Sequence, residues 1–102
     1  MSKPMSAKKL PEGDFMTKEV VIVNKLGIHA RPAALFVKTA NRFACDIFVE
    51  KDGEKINGKS IMGLMMLAAG PGSRLILHVR GVDASTAIAE LSALVQRKFD
   101  ED

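Results

Sequence analysis

The chain has 102 residues, enough for one domain with one core. A single cysteine excludes an internal disulfide and a cysteine-type zinc cluster. A net charge of +3 with five Phe, no Trp and no Tyr leaves no aromatic platform for stacking bases, so no nucleic-acid partner is expected.

Residues 1–16 mix Lys, Pro, Gly and acidic residues without apolar periodicity and read as a flexible leader before a domain spanning 17–102. The β-branched run Val20-Val21-Ile22-Val23 predicts a strand over Thr17–Asn24. Ala33, Phe36, Val37, Ala40 and Phe43 fall at helical spacing, which predicts a helix from Ala30 to about Arg42. Strands Asp46–Lys51 and Glu54–Asn57 form a hairpin at Asp52-Gly53, a pair that accepts a type I′ turn. Setting Lys51 opposite Glu54 places Glu50 opposite Lys55 and Val49 opposite Ile56, so charges meet on one face and apolar groups on the other.

Ser60 is positioned to cap a short second helix that Gly70-Pro71 ends. Leu75, Leu77 and Val79 alternate with Arg74, His78 and Arg80, a strand with one wet face that also carries Ile76. A last helix starts at Asp83 and buries Ala87, Ile88, Leu91, Leu94 and Val95. The order predicts an α+β fold in which three helices cover one face of a largely antiparallel four-stranded sheet. The longest apolar stretch, Ile61 to Ala69, is far below the ~20 residues that span a bilayer, so no stable membrane association is expected and a cytoplasmic location is.

Chemistry concentrates at Gly27-Ile28-His29-Ala30-Arg31-Pro32. His29 stands at the N-cap, where unpartnered backbone N–H groups such as that of Ala30 and the positive end of the helix dipole receive anions. Arg31 adds charge-assisted donors, and Pro32 removes only an N–H that the helix leaves unpaired. These residues suit the holding of a phosphoryl group, with His29 as nucleophile. Arg31, Leu35, Lys38 and Arg42 form one stripe of cations around an exposed Leu, a docking face for an acidic protein. Ile61, Met62 and Met65 point outward if Leu64 and Leu67 turn in, and Met-rich surfaces adapt to several partners. Ser60 caps its helix and would also tolerate phosphate there. His78 reads as a surface residue without a carboxylate to help it, and Cys45 as a small apolar one. No metal motif is present.

Asn24-Lys25-Leu26-Gly27-Ile28-His29-Ala30-Arg31-Pro32-Ala33, together with Gly58-Lys59-Ser60-Ile61-Met62-Gly63-Leu64-Met65, resembles the HPr family of histidine phosphocarriers from Thr17 to about Phe99. The resemblance implies an open-faced β-sandwich with strand order 1-4-2-3. It implies a phosphoryl group passed from enzyme I, charged by phosphoenolpyruvate, to Nδ1 of His29, stabilised by Arg31, and on to IIA domains of sugar permeases or regulators. It further implies phosphorylation of Ser60 by HPr kinase/phosphorylase, beside a contact surface of Ile61, Met62 and Met65. The carrier is expected to be a monomer that needs no cofactor, since the phosphate is carried covalently, and to be a relay more than a stand-alone enzyme. Leu26 stands where several sugar-system members carry Asn or Ser, and Asn24-Lys25-Leu26 looks like the nitrogen-related carriers. The nitrogen-type branch and a regulatory module acting through phosphoserine are therefore the alternatives.

Overall fold

Residues 15–101 are described by the structure, a computed structural model, so the predicted leader lies outside the described residues except for its last two positions. Four strands form β1 (Met16–Val21), β2 (Asp46–Lys51), β3 (Glu54–Asn57) and β4 (Arg74–Arg80). The helices are α1 (Ala30–Ala40), α2 (Ile61–Met66) and α3 (Ala84–Gln96), followed by a short turn at Lys98–Asp100. The sheet is antiparallel throughout with order β1-β4-β2-β3, which is the 1-4-2-3 order implied by the resemblance.

Alternation makes the sheet one-sided. In β4, Leu75, Leu77 and Val79 are buried under the helices, while Arg74, Ile76, His78 and Arg80 take the other face. Val20, Ile47 and Val49 extend the inner face, and Phe36, Leu64, Leu91, Leu94 and Val95 pack down on it. The hairpin register is the predicted one, with Lys51 opposite Glu54 and Val49 opposite Ile56. Asp52 and Gly53 both adopt positive φ, 52° and 85°, as a type I′ turn requires.

Several expectations need correction. β1 ends at Val21 because buried Asn24 turns the chain, its amide donating to the Gly27 carbonyl at 2.7 Å. α1 ends at Ala40, since Arg42 and Phe43 bond to carbonyls three residues back and tighten the last turn. α2 stops before Gly70: Ala68 takes the left-handed conformation at φ 52° just past the C-cap Leu67. Glu50 lies opposite Lys55 as expected, but its carboxylate meets Nε2 of His78 at 2.8 Å across β2 and β4, so His78 is a largely covered, paired residue instead of a lone surface one. Leu35 is half-buried against the core, not exposed.

Asp83 precedes α3 without capping it. Its carboxylate turns to the N–H groups of Ala44 (2.8 Å) and Cys45 (3.0 Å), tying the loop after α1 to the start of α3. The Ala44 N–H, reinforced by Cys45, holds that carboxyl below its ordinary range. On the open face of the sheet Phe15 lies edge-on to Phe48 and His78 and beneath the Arg80 guanidinium.

Candidate functional site

The loop between β1 and α1 is built by Gly27. At φ 71° it adopts the left-handed region, and a Cβ there would collide with the Ala69 carbonyl oxygen and the Gly70 Cα. Ile28 N–H donates to that same Ala69 carbonyl at 2.9 Å, so the loop leading into α1 is joined to the segment that leaves α2. This clamp delivers His29 to the N-cap in an extended conformation, φ −93° and ψ −168°, with its carbonyl receiving the Ala33 N–H.

The His29 side chain is 38 % exposed. Among the described residues the N–H groups of Ala30 and Arg31 find no backbone partner, and the Arg31 guanidinium has no carboxylate. An exposed imidazole beside two free N–H groups and an unpaired guanidinium is a seat for an oxyanion. Pro32, third in the helix, is buried and removes no needed donor.

Two residues of this centre were not singled out from sequence. Nε2 of His29 lies 2.9 Å from Oε2 of Glu101, and Oε1 of the same carboxylate accepts from the Asn24 amide at 3.0 Å. Asn24 is fully buried, and because both neighbours of its Nδ2 are acceptors the amide orientation is fixed. The acidic ending was visible as composition. Its destination was not, because 72 positions separate Glu101 from His29. The approach is made by Lys98, Phe99 and Asp100, all at positive φ (61°, 54° and 60°), around a Phe99 side chain plugged into the core.

The other candidate residues form a surface on α1 and α2, which pack against each other. Ser60 caps α2 as expected, its Oγ accepting from the Gly63 N–H at 2.9 Å. Leu64 and Leu67 turn inward, leaving Ile61, Met62, Met65 and Met66 around one open apolar depression. Lys38 is exposed, whereas Arg42 is committed to Glu90 at 3.0 Å and lies over the Phe43 ring. Of the predicted cationic stripe, Arg31 and Lys38 therefore remain unpaired among the described residues. No helix of the described residues is long and apolar enough to cross a membrane, and no cluster of potential metal ligands occurs among them.

An open-faced antiparallel α+β sandwich whose first helix opens on an exposed imidazole and a guanidinium defines a small anion-handling domain of the phosphocarrier type. A family model described as the PTS HPr component phosphorylation site matches residues 16–97. The chain belongs to this HPr family, the phosphocarriers of the phosphotransferase system. It is 52% identical over 84 residues to the HPr-like protein Crh of Halalkalibacterium halodurans, covering 82% of this chain and 100% of that one. It is 46% identical over 88 residues to the phosphocarrier protein HPr of Treponema pallidum, covering 86% and 100%. The structure of HPr from Thermoanaerobacter tengcongensis superimposes with a TM-score of 0.82 at 47% identity, covering 85% of this chain and 98% of that one. That HPr has also been solved as a dimer.

Proposed function

We propose that this protein relays a phosphoryl group from enzyme I, charged by phosphoenolpyruvate, through Nδ1 of His29 to IIA domains in sugar uptake and its regulation. The observation that carries the reading is the exposed His29 imidazole beside the unpartnered Ala30 and Arg31 N–H groups and the unpaired Arg31 guanidinium. Transfer of this kind needs in-line placement and stabilised oxygens more than covalent machinery on the carrier. A relay must release its cargo as readily as it takes it, and a shallow seat with few donors suits that task. The carrier works in the cytoplasm as a monomer, holds the phosphate covalently and uses no bound cofactor.

Ser60 serves as a second, regulatory phosphorylation site for an HPr kinase/phosphorylase. The Crh relatives favour a further reading, a regulatory module acting through phosphoserine at the same position. One experiment separates the two. Incubation with phosphoenolpyruvate and enzyme I is expected to give one acid-labile phosphate on the wild type and none on His29→Ala. Arg31→Glu is expected to keep its circular dichroism spectrum and lose at least about tenfold in transfer rate, one lost charge-assisted contact being worth ~1.5–3 kcal/mol. An acid-labile phosphate persisting on His29→Ala sinks the carrier reading, and phosphate that appears only on Ser60, and only when an HPr kinase/phosphorylase and ATP are added, favours the regulatory one.

A further inference from the structure

The contact between Glu101 and His29 leaves the two imidazole nitrogens in different circumstances. An ionised carboxylate has no proton to donate, so in the 2.9 Å contact between Oε2 and Nε2 the ring nitrogen is the donor. A neutral imidazole carries one N–H, so the lone pair then sits at Nδ1, for which no hydrogen-bond partner exists among the described residues. Glu101 is itself held. Its second oxygen accepts from Asn24, whose amide is anchored by the Gly27 carbonyl in the loop that delivers His29. The backbone that brings it there has three successive non-glycine residues at positive φ, a conformation L-residues avoid and that here is fixed by the buried Phe99 plug.

We propose that Glu101 is a positioning residue that sets the tautomer of His29 and offsets the charge the ring acquires when it is phosphorylated. The proposal rests on the reading of His29 as phosphoryl acceptor. In the step, the Nδ1 lone pair forms the N–P bond while the bond from phosphorus to the phosphorylated donor protein breaks, its electron pair leaving with the donor. Nε2 keeps its proton, so the ring becomes an N-phosphoimidazolium cation. The Glu101 carboxylate already faces that N–H from the side of the ring away from the incoming phosphorus. It thus acts on the reacting nitrogen only through the ring, as a carboxylate behind a catalytic imidazole does.

The test uses the full chain labelled with 15N at histidine, in mildly alkaline buffer where imidazoles are neutral. Because His78 also faces a carboxylate through Nε2, the His29 signals are assigned by their loss in His29→Ala. Long-range proton–nitrogen spectra are expected to show for His29 a protonated Nε2 with a slowly exchanging, downfield proton and a bare Nδ1. Glu101→Ala is expected to lose the protected proton and to slow phosphorylation by enzyme I roughly three- to tenfold. Glu101→Gln has one oxygen for two donors, Nε2 of His29 and the Asn24 amide, so it is expected to weaken the protected proton signal and to share the slowed rate, because the charge is gone. Asp100→Asn, a neighbouring tail carboxylate paired with Arg97, changes neither. A wild type carrying its proton on Nδ1, or variants at Glu101 with unaltered spectra and rates, overturns the proposal. Absence of phosphorylation on the wild type instead sinks the carrier reading, while the spectra still decide whether Glu101 sets the tautomer.

Discussion

Cys45 and His29 show how differently this fold treats its reactive side chains. His29 is presented to solvent at a helix start, whereas Cys45 is sealed beneath Gly81, where any Cβ would strike its own. Burial pushes the Cys45 thiol up to about 11, and the nearby Asp83 carboxylate adds to the effect. The unfolded chain releases this proton near the ordinary value of 9.0, while the folded protein keeps it until about 11. The folded state therefore binds more protons between those values, so the contribution is fully present below pH 9 and disappears as the pH rises to about 11. Urea titrations across that range are expected to show the wild type losing up to about 3 kcal/mol relative to Cys45→Ala. Parallel pH profiles for the two proteins would refute this. The chain has no tyrosine, so no phenol titrates in the same window.

At the level of elements, the features legible in the sequence are those whose signal is local. The hairpin register follows from charges and Val49/Ile56 spaced around Asp52-Gly53, and the Ser60 cap from one hydroxyl three residues before Gly63. The His29 N-cap was legible for the same reason, as it lies between a β-branched run and an amphipathic one. What escaped depends on contacts between distant segments. The His78–Glu50 pair needs the alignment of β4 on β2, and Glu101 reaches His29 only after the chain reverses at Phe99. Ala68 is a third case, because nothing in its side chain announces a left-handed residue; the chain turns there, just past the buried C-cap Leu67 and ahead of Gly70. Non-glycine residues in that region lose ~1–2 kcal/mol, part of which glycine returns as greater freedom in the unfolded state. Ala68→Gly is accordingly expected to stabilise the protein by about 0.5–1 kcal/mol, read as a higher urea midpoint at unchanged slope. A lower midpoint would show that Ala68 is not strained.

For the whole molecule, the charges of the open sheet face are mostly paired, Lys55 opposite Glu50 being an exception, while two cations of the helical side are not. On the open sheet face Arg74 pairs with Glu19 and Arg80 with Asp46, and His78 is taken by Glu50. On the helical side Arg42 is neutralised by Glu90, but Arg31 and Lys38 have no carboxylate among the described residues, and the exposed Ile61, Met62, Met65 and Met66 add an apolar patch on the neighbouring helix. Cations near an apolar centre suit a partner with an acidic rim, with charge governing encounter and the Met side chains governing residence. Ser60 sits at the head of that patch, so a negative charge there opposes such a partner without unfolding α2, since Asp is as good an N-cap as Ser and the helix N-terminus favours anions. Ser60→Asp is therefore expected to keep its thermal midpoint while binding enzyme I several-fold more weakly than wild type at ~50 mM salt. The difference should shrink toward 1 M salt, where the screening length falls to ~3 Å. Met62→Glu is expected to weaken binding at both salt concentrations, because it removes apolar contact as well as adding charge. Equal affinity of Ser60→Asp and wild type at low salt, measured by isothermal titration calorimetry, would place the docking surface elsewhere on the molecule.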